Sequence, residues 1–385
     1  MFSPFYTSAF VWNFAHGMTN VLVPLYALHL GMSGVAIGSL IALPVILQLL
    51  FNLLGGIYVD RLGSKNVLYI SCWASLFASA IYSVSSTFAG LLLGQCLFVL
   101  ARASFWPASW SLGSQLPGDR SRNMGRVNST TNGGQIAGTA IAGVVIAAAG
   151  YREGFLVTGG SALTALALTA LIPYTRRRRT GPYPGMVATY SRLARQPYMY
   201  FAMACAFLSV LPFTVAASFH PVLLVAEGFS SEQIGWLITL RAIGAVFAGI
   251  ALAHLVRSAS DRRVPFWCCV TIGLALAASA YFPGAWPMGT WLFILGVASG
   301  LISIYFQLLI SANSSPEQRG SAMSYGGVGW NLSNMLTPLV MGTLTDWMNV
   351  HSAFYILGAL LLVSAFTLFP LYNWAFPAGQ PRESR

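Results

Sequence analysis

Apolar residues gather along the chain in about twelve stretches of some 20 residues or more, parted by short breaks rich in Gly, Pro, Ser and charged residues. A helix rising 1.5 Å per residue needs about 20 residues to cross a hydrocarbon core of roughly 30 Å. The pattern predicts spans at 8–28, 35–58, 67–86, 88–112, 128–149, 154–174, 199–225, 233–255, 265–283, 289–312, 325–345 and 352–374. Polar residues are shared unevenly among them. Asn128, Ser129, Thr130, Thr131, Asn132, Gln135 and Thr139 crowd the fifth span, and Asn331, Ser333, Asn334 and Thr337 the eleventh. The sixth and twelfth are almost wholly aliphatic or aromatic. An unpaired polar group facing lipid costs several kcal/mol, so the polar helices are expected to face protein or a central aqueous pathway.

The pattern also repeats. "VPLYALHLGMSGVAIGSL" from Val23 aligns with "HPVLLVAEGFSSEQIGWL" from His220 at a shift of 197 residues, pairing Pro24 with Pro221, Gly31 with Gly228 and Ser33 with Ser230. Further on the shift is 199: "PGDRSRNMG" from Pro117 aligns with "PEQRGSAMS" from Pro316, and Gly143, Phe155 and Gly159 pair with Gly342, Phe354 and Gly358. A repeat unit of six spans has the same orientation in both copies, which predicts parallel repeats about an axis along the membrane normal. The expected organisation is a six-helix bundle over 1–174, a cytoplasmic linker over 175–197, a second six-helix bundle over 198–374 and a cytoplasmic tail over 375–385.

Composition fixes the class. Hydrophobic residues are 56% and charged residues 8% of the 385, with a mean hydropathy of +0.68, whereas soluble domains carry roughly 25% charged residues. No residue before Asp60 is charged, so the basic start of a secretory signal is missing and the first span is read as retained. The net charge of +11 does not point to nucleic acid, because nearly all the basic residues fall on one side of the predicted topology, Arg176, Arg177, Arg178 and Arg179 among them, and Arg152 alone on the other. By the positive-inside rule the crowded side is cytoplasmic, giving an inner-membrane protein with both termini inside and anionic lipid as the partner of the arginine run. Cys72, Cys96, Cys205, Cys268 and Cys269 all lie in predicted spans without CxxC spacing and read as small packing residues. No metal-ligand set, cofactor motif or Walker motif is recognised.

Between the second and third spans stands "GGIYVDRLGSK", in which Gly56, Asp60, Arg61, Gly63 and Lys65 fit G-x-x-x-D-[RK]-x-G-x-[RK]. Gly56 allows close helix approach, Gly63 a tight turn, and Asp60 sits at the membrane edge where cations or a helix N-terminus can meet it. The loop resembles the signature of the major facilitator superfamily, and with the repeat and the charge pattern the resemblance covers essentially the whole chain. It implies an all-α membrane fold of about twelve helices in two pseudo-symmetric bundles, which rock around a mid-membrane site, with Asp60 latching the cytoplasmic side. Arg257 takes the Asp position in the second copy. Gly133, Gly134, Gly138 and Gly143 look like the glycine-rich signature of antiporters in this superfamily, although Thr139 stands where that pattern has Pro; close helix packing accounts for the spacing equally well.

Two cations fall inside spans. Arg102, in "LARASFWPASW", resembles a fourth-span Arg of proton-coupled members, and Arg241 has Pro44 as its counterpart in the first copy. No carboxylate is expected at mid-depth, so the anion that pairs with Arg241 is expected to arrive with the solute, with Arg102 as a second clamp. His16, Asn132, Gln135, Asn331 and Asn334 complete the candidate solute-binding set. His16 titrates near neutral pH when unperturbed, and a coupling proton or ion is a further expected partner. The sequence thus predicts secondary transport of a small solute, with a small organic anion or zwitterion as the leading substrate. Efflux of amphipathic compounds is the alternative. Copper import, from Met199 and Met203, and a non-transporting receptor or assembly factor rank lower.

Overall fold

The computed structural model describes residues 3–117, 119–173, 186–314 and 319–377; the side chains of residues 52–61, 114, 120–121, 186–189 and 319–320 lie outside that description. Six long helices fill the first half: α1 (Pro4–His29), α2 (Gly34–Leu62), α3 (Ser64–Val84), α4 (Phe88–Gln115), α5 (Arg120–Ala149) and α6 (Tyr151–Ala170). They correspond to the first six predicted spans. A short helix, α7 (Met186–Ala194), lies in the segment expected as the linker.

The second half is more broken. The seventh span divides into α8 (Pro197–Ala216) and α9 (His220–Ala226), because Pro221 fits the first turn of a new helix better than the interior of an old one. The eighth is α10 (Ser231–Phe247), continued by a π-helical turn at Ala248–Leu252 and a 3-10 turn at Ala253–Leu255. Then come α11 (Arg263–Tyr281), α12 (Ala285–Asn313), α13 (Arg319–Gly326), α14 (Val328–Trp347) and α15 (Val350–Ala375), so that the eleventh span too is interrupted, at Gly327. Ten segments among the described residues are long and apolar enough to cross a membrane. Of the long helices, α1 and α14 fall outside that set, whereas the polar α5 falls within it.

By contacts the chain parts into two units, Met1–Gly181 with Ala217–Thr239, and Pro182–Ala216 with Leu240–Arg385. In the first, α1 packs on α5 and α6, α3 on α4 and α6, and α2 on α4. Trp12, Phe5, Phe105, Cys72 and Val127 form part of one buried cluster there. In the second, α8 packs on α12 and α14, and α11 on α12 and α15. The pairs α1·α5 and α8·α14, α3·α4 and α11·α12, and α3·α6 and α11·α15 are equivalent under the sequence repeat.

Local chemistry repeats as well. Gly31 (φ 73°) ends α1, with Met32 N–H donating to the Ala27 carbonyl and Gly31 N–H to that of Leu28. Gly228 (φ 80°) ends α9 with the same pair of bonds, from Phe229 to Leu224 and from Gly228 to Val225. Both are left-handed caps that satisfy the last carbonyls of a helix, and a side chain at either position would strain the backbone.

Candidate solute-binding site

In the second unit the candidate residues meet around the last turns of α8. Arg241, on α10, is 7% exposed, and its guanidinium lies over the Phe213 ring at 5.3 Å. Its Nε finds no hydrogen-bond partner among the described residues. Phe213 precedes Thr214, whose hydroxyl donates to Asn334 Oδ1 at 2.8 Å from α14. One turn earlier on α8, Ser209 Oγ accepts from Trp330 Nε1 at 2.9 Å, and its carbonyl accepts from Ser299 Oγ of α12 at 2.7 Å. Trp330 meets Phe306 edge-on at 5.1 Å. The result is a surface with one guanidinium, one amide and several aromatic faces. Asn331 is buried and donates to the Gly327 carbonyl at 3.2 Å, the point where α13 gives way to α14. It braces a helix break.

Arg241 is also held by its backbone. A Cβ at Gly296 of α12 would overlap the Arg241 carbonyl, so α10 and α12 touch at the residue that carries the charge. Position and depth are therefore fixed by packing while no acid among the described residues pairs with the head group, an arrangement suited to a planar anion that accepts two parallel bonds.

In the first unit His16 meets α4, the helix that carries Arg102. His16, on α1, stacks against Trp12 at 5.8 Å and against Phe98 of α4 at 5.4 Å, and Trp12 stacks on Phe105 at 4.0 Å. Gln135 is half-buried, its carbonyl pressed against Gly17 of α1, and Asn132 is exposed. Neither belongs to the aromatic cluster around His16.

Of the loop motif, Gly63 has φ 85° at the turn between α2 and α3. Lys65 Nζ donates to the carbonyls of Ala170 at 2.9 Å and Ile172 at 2.6 Å, placing a cation on the C-terminal end of α6. Gly56, Asp60 and Arg61 fall in the backbone of α2, and their side chains lie outside the described residues, as do Arg176 to Arg179 altogether. No group of three His, Cys, Asp or Glu that could hold a metal ion occurs among the described residues.

Sequence reasoning picked out both arginines but not Phe213. An aromatic residue in an apolar helix carries no sign of what it faces, whereas a lone arginine announces itself.

The Major Facilitator Superfamily description matches residues 5–226 and again 202–384. "Multidrug resistance protein 2" of Bacillus subtilis (strain 168) is 24% identical over 374 residues, covering 93% of this chain and 91% of that protein. "Quinolone resistance protein NorA" of Staphylococcus aureus (strain N315) is 21% identical over 353 residues, covering 89% of each. Among solved structures, a point mutant of the nucleoside transporter NupG superposes with a TM-score of 0.81 at 16% identity, over 96% of this chain and 98% of that one. A bacterial homologue of the human lysosomal transporter Spinster, inward-facing, gives 0.73 at 16% identity, over 97% and 95%. The chain belongs to the Major Facilitator Superfamily and is a multi-pass membrane transporter of small solutes, not an enzyme.

Proposed function

We propose that the chain exports amphipathic organic compounds that carry an acidic group, by alternating access driven by an ion gradient. The observation that carries this reading is Arg241, a buried guanidinium stacked on Phe213 with its Nε unpaired. A permanent charge at mid-membrane costs about 2.5–3.5 kcal/mol on insertion scales and normally finds a partner. An acidic solute supplies that partner, while Phe213 and Trp330 suit its apolar body. Direction is argued from the relatives, whose names speak of multidrug and quinolone resistance. This reading moves the weight from a small organic anion, the sequence's leading expectation, to its alternative of amphipathic efflux, and keeps the negative charge.

The test is energised efflux from vesicles of a fluorescent amphipathic carboxylate, beside its neutral methyl ester. Arg241→Gln is expected to abolish transport of the acid and Arg241→Lys to weaken its apparent affinity about tenfold or more, since lysine keeps the charge and loses the fork. Both variants should remain folded. Normal transport of the acid by Arg241→Gln, or a preference for cationic compounds, would sink the reading.

A further inference from the structure

The repeat sets two cations in equivalent places, and the structure gives them different surroundings. At the shift of 197 residues Lys65, in the first turn of α3, aligns with Arg262, the residue before α11. Lys65 caps α6, donating to the Ala170 and Ile172 carbonyls. The second unit has no helix end at the matching place: at the shift of 199 Ala170 aligns with Phe369, but α15 continues to Ala375. The carbonyls that match the acceptors of Lys65 are therefore bonded inside a helix. Arg262 instead lies over the Phe369 ring at 5.4 Å and donates from Nη1 to Asn373 Oδ1 at 2.6 Å. Asp261, the neighbouring acid, accepts from the Arg263 N–H at 3.0 Å.

The loop that carries Arg262 is tied into the fold. Tyr305 of α12 donates to the Ala259 carbonyl at 2.8 Å, and Tyr372 of α15 to that of Ser260 at 3.0 Å. Beyond the loop α11 and α15 run antiparallel. Phe266 meets Phe369 at 4.8 Å, Cys269 Sγ donates to the Leu361 carbonyl at 3.3 Å, and a Cβ at Gly273 would lie 2.8 Å from the Gly358 carbonyl oxygen. Phe266 also touches Phe366 at 5.6 Å and Trp267 at 5.2 Å, and these two rings are 67% and 62% exposed. Both helices are long and apolar enough to cross a membrane. Arg262 therefore stands where hydrocarbon meets headgroups, and an exposed aromatic face leads from it towards the hydrocarbon. An aromatic belt is ordinary at that depth. A guanidinium held against one of its rings by a side-chain amide adds a fixed cationic fork.

We propose that Arg262, held by Phe369 and Asn373, is the headgroup end of a site for one anionic phospholipid on the exposed face of α11 and α15, with an acyl chain against Phe266, Phe366 and Trp267. The phosphodiester accepts from the guanidinium fork, and the exposed Arg263 adds charge beside it. A free phosphate shares the headgroup chemistry and lacks the chains. The exposed rings decide for the lipid, since a hydrated ion gains nothing from them. The site draws on no residue of the Arg241 surface and stands or falls apart from the export reading.

The measurement is native mass spectrometry of the detergent-purified protein, titrated with equal amounts of phosphatidylglycerol and phosphatidylcholine of the same chains and, in a second arm, with added glycerol 1-phosphate. Phosphatidylglycerol is expected to be retained over phosphatidylcholine, and glycerol 1-phosphate at matched concentration not to displace it. Arg262→Gln should weaken the apparent affinity of the most tightly held phosphatidylglycerol about tenfold. Arg152→Gln, which removes an exposed cation from the start of α6, should leave it unchanged. Phe369→Leu, which keeps apolar bulk and loses the ring, should weaken it about two- to fivefold, and serves as the readout should Arg262→Gln fail to fold. Displacement by glycerol 1-phosphate would make the site one for free phosphate and overturn the assignment. So would equal retention of the two lipids, or retention unchanged in both Arg262→Gln and Phe369→Leu.

Discussion

The helix pairs α1·α5 and α8·α14 occupy equivalent places in the two units, yet they combine close backbone packing and side-chain bonds in different proportion. In the first, backbone meets backbone at three glycines, with Gly134 beneath the Phe10 carbonyl, Gly138 beneath that of Phe14 and Gly17 beneath that of Gln135, and the hydroxyls of Thr139 and Tyr6 add bonds to the Gly17 carbonyl and Asn123 Oδ1, each at 3.3 Å. In the second, Gly329 meets the Met203 carbonyl, and side chains do the rest through the bonds from Thr214 to Asn334 and from Trp330 to Ser209. Between membrane helices the apolar drive is weak, so close packing and interhelical hydrogen bonds are the two available means of association. Both units use both means, and the first adds more glycine contacts. In the second, α8 also presents Phe213 to Arg241, so that unit joins its helices with the same stretch that builds its candidate surface.

The glycine contact should be the harder one to break. Gly138→Ala is expected to lower the stability of the purified protein by about 1–3 kcal/mol, because the new methyl must displace the Phe14 backbone. Gly133→Ala, whose Cβ would lie 3.7 Å from the Phe10 ring, should leave the unfolding temperature unchanged or slightly raised. Equal losses in the two variants would mean that the α1·α5 contact does not depend on bare backbone.

For the side-chain bonds of α8·α14 the expected effect is smaller. A double-mutant cycle of Thr214→Val with Asn334→Ala should return a coupling of about 1 kcal/mol in thermal unfolding, and a coupling near zero would remove the proposed difference between the units.

The smallest effect separates the two copies at the loop they share best. Ser230 forms a reciprocal cap, its Oγ accepting from Gln233 N–H at 3.3 Å while Gln233 Oε1 accepts from Ser230 N–H at 3.0 Å. Ser33 makes only the outward half, accepting from Ala36 N–H at 3.2 Å. Ser230→Ala should therefore cost about 1 kcal/mol and Ser33→Ala about half as much, again by thermal unfolding. The reverse order would show that Gln233 adds nothing.

These contrasts mark what the residue pattern could convey. The six-plus-six order and the pairing of Gly31 with Gly228 were legible, because spans and repeats each leave a local mark. Arg102 and Arg241 were legible for the same reason, as charges in apolar runs. Their surroundings were not: that Phe213 lies under Arg241 depends on which faces of separate helices meet. The break between α8 and α9 hid inside a continuous apolar run, although His220-Pro221 stood there to mark it.

The π-helical turn at Ala248–Leu252 follows directly on α10, the helix that carries Arg241. An extra residue in an ordinary helix rotates everything beyond it by about 100°, carrying buried faces outward. A turn closed by i→i+5 bonds holds one residue more and leaves both flanking faces where they were. The change of pitch between α10 and the 3-10 turn at Ala253–Leu255 is thus confined to a single turn, and Arg241 keeps its buried face.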